Sequence, residues 1–305
     1  MSYNMNIAIV FTPMQSLSIE RILSVIDERL LIINLSNRNI VGRSKDIIFG
    51  GDIRGIVAFF AIRLYIFIFR KKIGKVYLSH PYNHISNWFY YSSKVNEIIL
   101  IEDGLANYYL PEINNVNVNV NLLKRRSFYL FYEFKVISNL LIPNRHNLNK
   151  GYFYSPKIVM TDVRTKMPIN YSRHYLNLNK CVLFLDQDIS HCYNENFRDR
   201  RNKIESELNL IEDHEIFVKL HPAQTKASIP LNKRFTLVKG SELTAEELIL
   251  KLKPKIVYSY HSTALINIKR EYPNIICRAV LPEDPTLNND FIIRDLFNKF
   301  GVDIL

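Results

Sequence analysis

The sequence predicts an α/β protein of two domains, each built on a mostly parallel sheet. Short β-branched runs alternate with segments of helical apolar spacing along most of the chain, the pattern of parallel strands joined by crossover helices. A polar, proline-interrupted stretch from Pro143 to Lys150 separates two such series, which places a boundary near residue 155 and gives domains 1–155 and 156–305. A length of 305 residues, with 48% apolar and 23% charged residues, suits two domains with packed cores.

Residues 6–12, Asn-Ile-Ala-Ile-Val-Phe-Thr, form a β-branched run that stops at Pro13, and Gln15 to Asp27 follows with helical spacing. Leu30–Leu35, Lys75–Ser79 and Glu97–Ile101 read as further strands, with helices at Ile53–Lys71 and His84–Ser93. After Gly104 the pattern changes. Asn114–Asn121 alternates Asn and Val, and Leu122–Leu141 combines Lys124, Arg125 and Arg126 with many aromatics. That segment reads equally as a helix with a solvated basic edge and as one that docks on acidic headgroups. In the second half, strands are expected at Lys157–Thr161, Cys181–Asp186, Glu215–Leu220, Lys255–Ser259 and Asn274–Val280. Helices are expected at Asp199–Ile211, Thr244–Leu252, Ala264–Arg270 and Asn288–Phe300. Two such halves are expected to enclose a cleft.

The formal net charge of +11 suits nucleic acid, an anionic membrane or a negatively charged substrate. No zinc-finger spacing or ribonucleoprotein aromatic motif accompanies the charge, which disfavours nucleic acid. Three cysteines, Cys181, Cys192 and Cys277, without a CxxC pair, fit neither a disulfide framework nor a structural zinc site. The N-terminus lacks a basic n-region and a cleavage site and reads as a first strand, so cytoplasmic residence is expected. Ile53–Phe69 is the most apolar stretch, carries Arg54 and Arg63, and falls short of the roughly 20 residues that cross a bilayer. It is expected to be a core helix, with membrane contact as the alternative. No GxGxxG and no P-loop occurs.

Three strand ends carry the candidate chemistry. Leu100-Ile101-Glu102-Asp103-Gly104 places two carboxylates and a glycine where parallel sheets present functional groups. A partly desolvated Asp103 suits general-base work on a sugar hydroxyl, against the simpler reading of a strand-end turn. Phe217–Pro222 ends a second strand with His221, fit to assist a departing phosphate, or to be an ordinary surface histidine fixed by Pro222. Ser262 and Thr263 follow a third strand at a helix start, where free N–H groups and hydroxyls form an anion cradle; Ser262 equally suits a simple cap.

Glu102-Asp103-Gly104, His221-Pro222 and Ser262-Thr263 resemble, in the same order, the acidic-acidic-glycine, His-Pro and paired Ser/Thr motifs of bacterial sialyltransferases. Phe11-Thr12-Pro13-Met14-Gln15 resembles the start of the lipooligosaccharide sialyltransferases, glycosyltransferase family 52, and the short length suits that family better than the longer polysialyltransferases. Thr263 stands where related enzymes often carry Ser. The resemblance implies a GT-B fold, two Rossmann-like domains facing each other across a cleft, with the acceptor on the first and CMP-sialic acid on the second.

In the roles the resemblance implies, Asp103 is the general base and His221 assists departure of CMP. Pro222, Ser262, Thr263 and one of Glu246 or Glu247 bind the donor, while Gln15, Glu102 and Gly104 lie on the acceptor side. It also implies an inverting, metal-independent transferase without cofactor, acting on a terminal galactose or N-acetylgalactosamine of a surface glycan such as lipooligosaccharide, O-antigen or capsule, peripheral to the inner membrane, and a possible homodimer. The competing readings are a transferase for another CMP-activated acidic sugar, a GT-B nucleotide-sugar enzyme of hydrolase or epimerase type, and a non-catalytic basic protein binding membrane or nucleic acid.

Overall fold

The computed structural model describes residues 5–36, 38–81, 84–102, 104, 106–109, 148–187, 197–221, 224–238, 243–281 and 288–305. The chain divides into two compact units, Met1–Tyr171 and Ser172–Leu305.

The first unit runs β1 (Met5–Val10), α1 (Pro13–Leu23), β2 (Leu30–Asn34), β3 (Ile47–Gly50), α2 (Asp52–Phe69), β4 (Ile73–Leu78), α3 (His84–Tyr91), β5 (Val95–Ile101), α4 (Ala106–Tyr109), β6 (Lys150–Phe153), a 3-10 turn (Pro156–Ile158) and β7 (Thr165–Pro168). Among the described residues its sheet is parallel, in the order β3-β2-β1-β4-β5-β6-β7. Ile7 to Val10 of β1 are buried on both faces, which is why the sequence there is a continuous apolar run instead of an alternating one. α1 starts where Thr12 accepts the Gln15 N–H at 3.2 Å and Pro13 takes the first turn, a position where its missing N–H costs nothing.

The second unit runs β8 (Asn179–Leu185), α5 (Phe197–Asn209), β9 (Glu215–Lys219), β10 (Phe235–Leu237), α6 (Ala245–Leu252), β11 (Pro254–Ser259), α7 (Thr263–Glu271), β12 (Ile276–Ala279), α8 (Asn288–Lys299) and β13 (Asp303–Ile304). Its described strands are parallel in the order β10-β9-β8-β11-β12-β13. Val182, Phe184, Ile204, Leu208, Ile216, Val218, Tyr258 and Tyr260 form its core. In both units the first strand lies mid-sheet and the order reverses beside it, the doubly wound arrangement in which ligands bind outside the strand carboxyl ends at the switch point. These are two Rossmann-like domains, the units of the GT-B fold.

Three sequence expectations differ from the structure. The chain divides after Tyr171, beyond the boundary expected near residue 155, because β6 and β7 join the first sheet. Lys157–Thr161 is no strand and begins as the 3-10 turn. The helix over Ile53–Phe69 forms, as α2, yet it is no core helix: Gly55, Ala58, Phe59, Ile62 and Ile66 are buried, while Ile53, Val57, Phe60, Leu64 and Phe67 are exposed. It packs on β2 and β3, and β3 is the sheet's edge, so only one stripe finds cover. Gly55 permits the close approach, since a Cβ there would collide with Leu35. The basic segment around Lys124, Arg125 and Arg126 lies outside the described residues.

Candidate active site

In the first unit the switch point lies between β1 and β4. Gln15 is buried, and its Oε1 accepts the Phe11 N–H at 2.8 Å, so it closes the β1–α1 turn upon itself. The ring of Phe11 stacks on His80, centroids 6.3 Å apart, across the two strands that flank the reversal. One strand over, Glu102 is fully buried at the end of β5. Its Oε2 accepts the Tyr108 hydroxyl and the Tyr154 N–H, each at 2.6 Å, which ties the ends of β5 and β6 together. Asn107 extends the clamp by donating to Thr161 Oγ1 at 3.2 Å. Gly104 has φ +98°, a backbone setting that favours glycine. Glu102 and Gly104 therefore shape the turn; Asp103 between them lies outside the described residues.

In the second unit the switch point lies between β8 and β11, and the polar residues concentrate there. Gln187, just past β8, accepts the His261 N–H at 3.2 Å and the Ser259 hydroxyl at 3.4 Å, which bridges the two strand ends. Ser262 is the N-cap of α7: its Oγ accepts the Ala264 N–H at 3.2 Å. Thr263 opens the helix beside it, and both side chains are partly exposed. The first turn of a helix carries backbone N–H groups without intrahelical partners and the positive end of the dipole, so an anion at this edge meets donors before any side chain is counted.

Asp186 anchors the neighbouring loop. Its carboxylate accepts from Ser228 N at 2.7 Å, Ser228 Oγ at 2.5 Å and Gln187 N at 2.8 Å, and the Gln224 side chain also bonds it. Burial nevertheless holds its carboxyl above the usual range, because those donors offset only part of the lost hydration. Gln224 Oε1 in turn accepts the His221 N–H at 2.9 Å. Exposed His221 at the end of β9 is thus held by a chain that leads back to β8; Pro222 lies outside the described residues. Ser228 Oγ also lies 2.8 Å from the Tyr260 hydroxyl; burial pushes that phenol up, while the bond to Ser228 and, after it, Arg201 and Arg200 of α5 draw it down.

The two candidate ribose acids differ. Glu246 is buried, takes a hydrogen bond from Asn267 Nδ2 at 3.3 Å, and is raised first by burial and then by Glu271. Glu247 is partly exposed and completes a capping box: its Oε2 accepts the Thr244 N–H at 2.8 Å while Thr244 Oγ1 accepts the Glu247 N–H at 3.0 Å. Lys219, nearly buried at the end of β9, is lowered by burial, with Glu246 opposing. Sequence reasoning assigned no role to Asp186, Gln187, Lys219, Gln224, Ser228 or Tyr260. For Asp186 and Gln187 a signal was present, two polar residues directly after the apolar run Cys181–Leu185. Among the described residues no group of three or more His, Cys, Asp or Glu is arranged to hold a metal ion.

A family model described as alpha-2,8-polysialyltransferase (POLYST) matches residues 18–277. Among curated protein sequences nothing matches the chain. Solved structures with the same fold include the UDP-GlcNAc 2-epimerase of Methanocaldococcus jannaschii in complex with UDP-GlcNAc and UDP, at 10% identity and TM-score 0.51, covering 99% of this chain and 88% of that one. The alpha/beta-galactoside alpha-2,3-sialyltransferase of the luminous marine bacterium Photobacterium phosphoreum aligns at 11% identity and TM-score 0.49, covering 99% and 98%. At such identities the structural likeness concerns the fold, and function rests on the site and the family.

Proposed function

The chain belongs to the alpha-2,8-polysialyltransferase family, and from that premise we propose that it transfers sialic acid from CMP-sialic acid to a glycan hydroxyl with inversion and without a metal ion. The family differs from the lipooligosaccharide sialyltransferases that the opening residues resemble. The observation that carries the reading is the position of Ser262 and Thr263 at the start of α7, at the switch point of the second sheet. A nucleoside monophosphate leaving group needs an anion cradle there, and this one requires no glycine-rich loop.

In the proposed reaction the acceptor oxygen attacks the anomeric carbon of sialic acid, its proton passes to the Asp103 carboxylate, and the bond from that carbon to the phosphate oxygen breaks. The electron pair leaves with CMP. His221 donates to the departing phosphate oxygen, whose charge grows as the bond lengthens. Ser262, Thr263 and the α7 N–H groups hold the same phosphate, and Glu247, the more exposed of the two acids, takes the ribose hydroxyls. Asp186 and Gln224 position His221 through its backbone and act on no reacting atom.

The family description favours the 8-hydroxyl of a terminal sialic acid as acceptor, whereas the resemblance of the motifs favours galactose or N-acetylgalactosamine. Titration of the full chain with CMP and UDP, followed by mass spectrometry of products from sialylated and galactose-terminated acceptors, separates these readings. CMP binding with extension of one acceptor by a single sialic acid mass or its multiples supports the proposal. Binding of UDP with indifference to CMP overturns it.

A further inference from the structure

A helix that is apolar on all sides belongs in a core or against lipid, and α2 has only one side in a core. Its covered stripe, Gly55, Ala58, Phe59, Ile62 and Ile66, faces β2 and β3. On the opposite side Ile53, Val57, Phe60, Leu64 and Phe67 follow one another at three- and four-residue steps and are 58–80% exposed. Ile68, beside the same face, extends it toward the helix end. A run of large side chains in water is unusual on a single helix and marks an interaction surface.

The charges beside this face identify what covers it. No Asp or Glu occurs from residue 53 to 96, while Arg54, Arg63, Arg70, Lys71 and Lys72 do, and all five are exposed. At 3.6 residues per turn Arg54 and Arg63 stand roughly 90° to either side of the exposed face. Arg63 lies over the rings of Phe59 and Trp88, at 5.5 and 5.1 Å. The helix then ends at Arg70 with a left-handed turn into Lys71 and Lys72. The apolar surface continues into a groove of about 690 Å³ whose lining includes Leu31, Phe49, Val57, Ala61 and Tyr65, with Arg54 as its charged member.

We propose that this face of α2 docks the protein on an anionic lipid bilayer. The helix lies in the plane of the interface, with Ile53, Phe60, Leu64 and Phe67 in the acyl boundary and the cations among headgroup phosphates, their aliphatic stems running along the apolar surface. It lies on the membrane and does not cross it, since no helix among the described residues is long and apolar enough to do so. Pairing two copies through this face would bring two sets of five cations together against one carboxylate in each α2, Asp52 at its first residue; anionic lipid supplies the missing charge.

Sedimentation of the full chain with phosphatidylglycerol vesicles and with phosphatidylcholine vesicles tests this. Binding is expected to the first and not the second, to weaken with salt, and to fall on the order of tenfold in the triple variant Phe60→Gln, Leu64→Gln, Phe67→Gln and in Arg70→Gln, Lys71→Gln, Lys72→Gln. The single variant Phe67→Trp gives a reading that does not depend on a triple substitution, because its emission, after subtraction of the parent's, shifts to the blue when phosphatidylglycerol vesicles are added. No binding to phosphatidylglycerol, equal binding by the apolar triple, or an unshifted emission from the Phe67→Trp variant would overturn the proposal. So would a dimer that the apolar triple dissociates in a chain that ignores vesicles, which would make this a face between copies.

Discussion

Ser228 Oγ lies 2.5 Å from Asp186 Oδ1, and Ser228 N lies 2.7 Å from the other oxygen of the same carboxylate. This pair ties the stretch after His221 to the strand at the centre of the second sheet. Asp186→Ala removes the acceptor from buried donors and is expected to cost about 2 kcal/mol of stability. It should also lower turnover by loosening His221. Ser228→Ala keeps the backbone donor and should cost about 1 kcal/mol. Urea unfolding and steady-state transfer measure both, and an Asp186→Ala variant of native stability and turnover would contradict the account.

Glu246 gives a pH signature. Burial and Glu271 raise its carboxyl above the ordinary 4.5, so its stabilising contribution is full below that value and is lost as pH rises through the folded pKa. Glu246→Gln carries no charge to desolvate and should melt higher than the parent at about pH 8, with the gap closing toward about pH 4. Thermal unfolding across that range checks the sign. A gap that widens toward acid would mean that Glu246 is stabilised as the anion.

Glu247 is expected to behave in the opposite way. Gln also completes a capping box, so Glu247→Gln should leave the melting temperature nearly unchanged while raising KM for the donor. Glu246→Gln should leave that KM alone. A reversed pattern would move the ribose contact to Glu246.

Ser262 caps α7, and its cap and phosphate roles are separable. Ser262→Ala loses both and should cost about 1 kcal/mol as well as donor affinity. Ser262→Asn is a good cap without a hydroxyl, so stability should hold while donor KM rises. Unchanged KM in both variants would leave Ser262 a cap alone.

Asp103→Ala and His221→Ala should each reduce transfer at least on the order of a hundredfold with the fold retained, and EDTA should leave turnover unchanged. Circular dichroism and initial rates check the variants. Loss of activity in EDTA that a single divalent ion restores would contradict the metal-free mechanism.

Much of this architecture was legible in the chain. Continuous apolar runs such as Ile7–Val10 and Cys181–Leu185 are central parallel strands, and hydroxyl residues before apolar spacing, Thr12, Thr244 and Ser262, are N-caps. Edge strands escaped the reading: β7, Thr-Lys-Met-Pro, has exposed ends and a terminal proline, and β10 spans three residues. Their ladders with β6 and β9 define them, a tertiary effect without a local signature. α2 escaped in another way. Composition shows that its residues are apolar, and only the position of β3 at the sheet edge reveals that half of them have nothing to pack on. The Asp186–Gln224 link joins residues far apart in sequence, so spacing could not announce it.

The most direct test of the central claim is CMP release from CMP-sialic acid by the full chain in EDTA, with and without sialylated and galactose-terminated acceptors. The account predicts release that an acceptor stimulates, matched by a sialylated product. No release and no CMP binding would contradict it, and would leave the strand-end residues as turn and cap chemistry.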